Sequence, residues 1–205
     1  MIVVIGTGAM ASELAVFFPN IKGYLEYSSN LDKYYNRYHY DKPVLGDIDS
    51  YNIQSDDNFL LAVADIEFRK KMICKIKSRG GRMPNFIHDT ATISKIVTMG
   101  EGNIIYPFCI VSPNVVLGNY NAMTCQSIVS HDCVLGDNNF LATTLLCGHT
   151  KVADDNSFGI RSTSVPHITI GSRNVIQAGM IVNKNLKDDS TVFYRYKEQL
   201  IINNK

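Results

Sequence analysis

From Ile93 onward an apolar residue returns at every sixth position: Ile93, Met99, Ile105, Val111, Leu117, Met123, Val129, Leu135 and Leu141. An interval of six fits neither the 3.6-residue period of a helix nor the two-residue alternation of a strand. Continued at the same interval the series reaches Cys147 and Ala153, so that eleven consecutive hexads share one register. The residue before each is mostly apolar as well, including Ile104, Ile110, Val116, Ile128, Val134, Phe140 and Val152. Gly100, Gly118, Gly136 and Gly148 take the second position, and compact residues such as Cys109, Asn121, Ser127, Cys133 and Asn139 take the fifth. The pattern resumes one residue short at Ile170, Ile176 and Val182, which predicts a loop or bulge near Val165–Pro166–His167. A six-residue repeat of this kind predicts a parallel β-helix. Three short strands make one triangular coil, one side chain per hexad points inward, and each coil buries its core only by stacking on the next.

The chain before the repeat has another grammar. "MIVVIG", "KGYLEY" and "FLLAVA" read as short strands, "SELAVFF" and "IEFRKKMICKIK" as helices, with Pro19 ending the first helix and Gly80–Gly81 the second. Alternating strands and helices predict a small parallel α/β sheet. The expected division is an α/β domain over 1–84 and a β-helix over 85–205, ending in a last strand and a frayed tail.

Bulk properties exclude several classes. The 205 residues are 45% hydrophobic, enough for a real core. Twenty basic against nineteen acidic residues leave no excess for nucleic acid. No apolar run is long enough for a membrane span, and the N-terminus lacks the basic start of a secretory signal. Five scattered cysteines without a CxxC pair predict reduced thiols in a cytoplasm and no structural zinc.

Two stretches carry chemistry. Gly6, Gly8 and Ala11 form a G-x-G-x-x-A pattern between a strand and a helix, where a phosphate can approach the backbone. Glu26 ends the second strand, about where a ribose-binding acid is expected. Only half of a dinucleotide fold fits before the repeats begin, which suits a nucleoside diphosphate better than NAD. In mid-repeat stands His131–Asp132, near an expected corner. Histidine's ordinary pKa of about 6.5 suits a general base near neutrality. Neighbours on a flat strand point to opposite faces, so Asp132 supports His131 only if the chain bends there. By period alone His131 reads as a surface or corner residue with no task, in preference to a base.

"VVIGTGAMASE", "KPVLGDID", "FIHDTATIS", "IVSHDCVLGD" and "IQAGMIVNKNLKDDS" together resemble the bacterial hexapeptide-repeat sugar acyltransferases of the NeuD/PglD type, which O-acetylate sialic acid or N-acetylate UDP-amino-sugars. The resemblance covers nearly the whole chain and implies a half-Rossmann domain followed by a left-handed β-helix, although parallel crossovers are usually right-handed. It also implies a homotrimer with acetyl-CoA in the groove between neighbours. His131 would be the general base and Asp132 its partner. Gly148, by its position a candidate for the oxyanion N–H, and His149 would line the acetyl-CoA groove. Gly6, Gly8, Ala9, Met10 and Glu26 would hold a nucleotide-linked amino sugar. No metal is called for. The expected activity is N-acetylation of such a sugar for a surface polysaccharide or glycan; the alternatives are O-acetylation of a sialic-acid-like sugar and a non-catalytic β-helix scaffold or nucleotide-binding protein. The chain departs from the family in three places: Phe140 stands where another His is common, the loop "GTGAMASE" lacks the family's His, and "VFYRYKE" replaces a "GxPAK"-like end.

Overall fold

The computed structural model describes residues 1–194. Its first part runs β1 (Ile2–Ile5), α1 (Ala9–Phe17), β2 (Ile21–Leu25), α2 (Leu31–Tyr38), β3 (Val44–Gly46), β4 (Asn58–Leu61) and α3 (Ile66–Ser78). The four strands are parallel in the order β3-β2-β1-β4. Val3, Val4 and Ile5 of central β1 are fully buried, as both faces of a parallel sheet require. Asp65 Oδ1 accepts the Phe68 N–H at 2.7 Å and caps α3, and Lys75 and Lys77 sit in its last turn, where cations oppose the helix dipole. The sequence pattern indicated neither β3, a three-residue edge, nor α2, whose tyrosines and charges carry no apolar stripe and none of whose residues is buried.

From Phe86 the chain winds through eighteen two-residue strands in three parallel sheets of seven, six and five. The first face runs from Phe86–Ile87 to Thr191–Val192, the second from Thr92–Ile93 to Ile181–Val182, and the third from Thr98–Met99 to Thr169–Ile170. The second residue of each pair points inward. Ile105, Val111, Leu117, Met123, Val129, Leu135 and Leu141 are at most 1% exposed. The residue before it points outward; on the first face Ile104 and Ala122 are buried from outside, which explains why that position too reads as apolar. The last described strand, Thr191–Val192, matches the expected final strand; most of "VFYRYKE", and the tail after it, lie outside the described residues.

The register slip is confirmed but misplaced. Val129 pairs with Leu146, seventeen residues on, and the inward series continues as Leu146, Val152, Phe158, Ser164 and Ile170. Cys147 and Ala153 are therefore not core positions: both are only partly buried, whereas Leu146 is fully buried and Val152 3% exposed. The short rung lies at Ala142–Thr144. Left-handed corner residues repeat at intervals of six (Gln126, Asp132, Asn138), then five to Thr143, then six again through His149, Asp155, Arg161, His167 and Arg173. At Val165–Pro166–His167 the coil is regular.

Inside one corner runs a ladder of buried amides. Asn103, Asn121, Asn139 and Asn156 each donate their backbone N–H to the Oδ1 of the asparagine one coil earlier, beginning at Asn85. Their Nδ2 groups donate to the same oxygens at 2.9–3.2 Å. Asn174 N–H continues the ladder, and its Oδ1 accepts the Ser190 N–H at 2.7 Å. A small polar residue at the fifth hexad position thus satisfies backbone groups that the tight corner leaves without partners. Asn121→Ala is expected to destabilise the fold by about 2–4 kcal/mol, because it strands the buried Asn139 N–H and the Gly136 carbonyl and leaves Asn103 Oδ1 with one donor in place of two. The urea-unfolding midpoint reads it; a shift no larger than that of an exposed-site alanine would refute the ladder's role.

Arg69 of α3 joins the two parts. It is fully buried and donates to Asn138 Oδ1 at 3.0 Å, to Val63 O at 3.0 Å and to Tyr120 O. Asn138 donates onward to Asp155 Oδ1 at 2.9 Å. Burial pushes the guanidinium down to about 10, still charged at neutral pH.

Candidate active site

His131 and Asp132 occupy the corner between the second and third faces, between the strands Ile128–Val129 and Val134–Leu135. Asp132 has φ +59°, in the left-handed region. This is the bend that brings two sequence neighbours to one side: His131 Nδ1 lies 2.7 Å from Asp132 Oδ2. Asp132 Oδ1 accepts from Asn114 Nδ2 at 3.1 Å. The hydrogen bonds from His131 and from Asn114 hold the carboxyl below the ordinary aspartate range. An ionised carboxylate only accepts, so Nδ1 carries the hydrogen and the lone pair of a neutral imidazole is left on Nε2. The ring is exposed.

The shortened coil decides what stands beside this ring. Asp132 and His149 are both left-handed corner residues, seventeen apart, so His149 stacks on Asp132 and Gly148 on His131. A Cβ on Gly148 would lie 2.7 Å from His131 Cε1 and 2.8 Å from Nε2. Glycine here lets the imidazole lie against the next coil. Gly148→Ala is expected to leave stability nearly unchanged, since the exposed ring can swing away. If His131 is the base, the swing costs about 10²-fold in kcat, the penalty for misplacing a reacting group by about 1 Å. Equal kcat for the two proteins would show that the ring's seat is immaterial. His149 Nε2 stands 3.8 Å from Asp132 Oδ2, and its ring stacks on His167 at 4.5 Å with an interplanar angle of 9°.

Cys133 follows the pair, but its Sγ points inward and donates to Cys147 O at 3.1 Å. Burial pushes the thiol up to about 11, so it is no nucleophile for His131. His88 packs against Phe17 and Phe18, and His39 closes α2 with φ +49°.

The glycine loop lines a separate cleft of about 440 Å³. Gly6, Gly8, Ala9, Met10 and Glu26 all border it, together with Asp65. Gly6 needs φ +105°, and Gly8 is the N-cap of α1 with no side-chain cap. The first N–H groups of α1 therefore face the cleft, a setting suited to phosphate. Tyr40 Oη reaches Thr7 O at 3.0 Å and Gly8 O at 2.8 Å and buttresses the loop, a role the sequence did not signal. Glu26 is 5% exposed, and its oxygens are occupied. Oε2 accepts from Thr7 N and Thr7 Oγ1 at 3.0 Å; Oε1 accepts from Tyr27 N at 2.9 Å and Asn30 Nδ2 at 3.3 Å. Glu26 thus fixes the loop from beneath while its carboxylate borders the cleft.

A second cleft, of about 480 Å³, meets the first at Ala64 and lies between Glu13 of α1 and the first face. Phe140, Ala142 and Thr143 form part of its wall, so the shortened rung borders it. Tyr106, fully buried at its side, leaves its hydroxyl without a partner. No periodic signal marked this cleft.

No family model and no curated sequence matches this chain. Solved structures do. The acetyltransferase domain of PglB from Neisseria gonorrhoeae, in complex with acetyl coenzyme A, is 22% identical with a TM-score of 0.80, covering 93% of this chain and 94% of that one. PerB from Caulobacter crescentus, in complex with CoA and GDP-perosamine, is 22% identical with a TM-score of 0.82, covering 93% and 92%. WeeI from Acinetobacter baumannii is 22% identical with a TM-score of 0.79, covering 93% and 95%. Likeness over nearly the whole chain, at an identity this low, speaks for the fold: a half-Rossmann α/β sheet followed by a left-handed parallel β-helix of hexapeptide repeats.

Proposed function

We propose that the chain is an acetyl-CoA-dependent N-acetyltransferase acting on an amino group of a nucleotide-linked sugar. The observation that carries this reading is the His131–Asp132 pair, closed at 2.7 Å on an exposed corner with the ring seated on Gly148. The structurally similar proteins solved with acetyl coenzyme A and with CoA and GDP-perosamine support the choice of donor and acceptor class.

In the proposed reaction the sugar amine attacks the thioester carbonyl and His131 Nε2 accepts the amine's proton. The C–S bond then breaks, CoA leaves as the thiolate, and the imidazolium returns a proton to it. Asp132 keeps Nδ1–H in place and offsets the charge of the imidazolium. The Gly148 N–H, which makes no hydrogen bond among the described residues, is available to the oxyanion. His149 borders the acetyl-CoA groove. Transfer is direct, in a ternary complex, and needs no metal.

In this reading residues 1–84 hold the nucleotide and residues 85–205 the donor and the base. Gly6, Gly8, Ala9 and Met10 take the diphosphate at the N-terminus of α1, with Glu26 bracing the loop. The cleft and the His131 corner lie on different edges of one chain, so a neighbouring copy completes the site. Three β-helices side by side would bury outward residues of the second face such as the exposed Ile110 and Ile181. The proposed setting is a cytoplasmic homotrimer in surface-glycan synthesis, consistent with five unpaired cysteines. Among the described residues no helix is long and apolar enough to cross a membrane.

A panel of nucleotide sugars with acetyl-CoA, followed by thioester loss, tests the reading. Turnover with amino sugars supports it. Turnover only with hydroxyl acceptors would move the activity to O-acetylation. No turnover with any acceptor, and ligand binding unaffected in His131→Ala, would favour a scaffold or nucleotide-binding protein.

A further inference from the structure

We infer that His131, Asp132 and His149 form an inhibitory site for a divalent transition-metal ion, with zinc the best fit. Two imidazoles and a carboxylate are a common zinc donor set, with an open fourth position for water. One candidate ligand atom from each residue lies within 4.8 Å of the other two. His131 Nδ1 and His149 Nε2 approach the same oxygen, Asp132 Oδ2, at 2.7 and 3.8 Å. Tetrahedral zinc with bonds of about 2.05 Å separates its ligands by roughly 3.3 Å, between those two values. Rotation of exposed rings by a few tenths of an ångström to about 1 Å would close the set.

The ligands are held in place without a metal. Asn114 fixes the far oxygen of Asp132 at 3.1 Å, and the His149 ring is clamped against His167 at 4.5 Å. Supports of this kind orient metal ligands and raise affinity. All three side chains are solvent-accessible, so an ion has a path in.

Binding would have a defined chemical result. A metal on Nδ1 takes the place of the Nδ1 hydrogen, which moves to Nε2. The lone pair that accepts the substrate's proton is then gone, and Asp132 is occupied by the ion. The base is switched off without a change of fold. This consequence rests on the proposed reaction; the metal site itself does not.

The test uses full-length protein stripped with EDTA and desalted. Zinc is titrated in competition with a chromophoric chelator, in a Cys74→Ser background because that thiol is exposed. One zinc per chain with micromolar affinity is expected. Cobalt is expected to give the intense visible bands of a tetrahedral site. His149→Ala and Asp132→Asn should each weaken zinc binding by at least about 10-fold, whereas His88→Ala, remote from the corner, should not. Zinc should also slow acetyl-CoA consumption, followed by thioester absorbance, with recovery on adding EDTA. Absence of zinc uptake below millimolar concentration, or unchanged affinity in both His149→Ala and Asp132→Asn, would overturn the site. Site-specific zinc binding by a protein that consumes no acetyl-CoA with any acceptor would instead count against the proposed reaction alone. An active enzyme that zinc neither binds nor inhibits would do the reverse.

Discussion

His131→Ala is expected to lower kcat by about 10²–10⁴-fold, the usual share of a positioned general base, with little change in nucleotide-sugar affinity. The split follows from geometry. The imidazole lies at the corner of the second and third faces, while the glycine-loop cleft belongs to the α/β part. A fall in kcat with constant affinity places His131 in the chemical step. A large rise in KM at constant kcat would make it a binding residue and remove the basis of the proposed reaction. Asp132→Asn is the companion variant. Its carboxyl is held below the ordinary range by the bonds from His131 and Asn114, so it stays ionised through neutral pH and below. The sign is that of a depressed carboxylate: its support is present at neutral pH and lost only on acidification past its lowered pKa. Asparagine keeps the shape but removes the charge, and an intermediate rate between wild type and His131→Ala is expected.

Arg69→Ala is expected to cost about 3–5 kcal/mol, the sum of leaving buried neutral acceptors without a donor and opening a cavity. The variant leaves Asn138 Oδ1 and the carbonyls of Val63 and Tyr120 without their donor, and a cavity the size of a guanidinium between α3 and the β-helix corner. These contacts bridge the two parts of the chain, so thermal unfolding should split from one transition into two. Arg69→Met fills the volume without the charge and should cost less. A single transition at the wild-type temperature in Arg69→Ala would show that other contacts hold the parts together. Neither outcome depends on the enzyme's substrate, which keeps this measurement separate from the reading of His131.

The repeat was legible because each inward position admits only apolar side chains, from Ile93 through Leu141. The position of the slip was not. After the five-residue rung at Ala142–Thr144 each turn offers two candidates, Leu146 or Cys147, then Val152 or Ala153. Either series is apolar, so the old phase could run on until Pro166 and His167 broke it. Packing chose Leu146 and Val152, and periodicity alone had no means to. The asparagines were visible as compact residues at fixed spacing, but their bonding partners lie a full coil away, beyond any local pattern. At His131–Asp132 the residue types were legible and the bend was not, because a left-handed φ at aspartate leaves no mark on composition. The ring's seat on Gly148 depends on the shortened coil and so was hidden with it. Glu26 was found by its place after β2, whereas its partner Thr7 became apparent only when the loop was folded over it.

The asparagine ladder has a direction. Each Oδ1 receives the N–H of a residue that comes later in the chain, from Asn85 at the bottom to Ser190 at the top. A polypeptide emerging N-terminus first therefore lays every new turn onto a carbonyl already waiting for it, and the prism can lengthen during synthesis like a stack fed from one end.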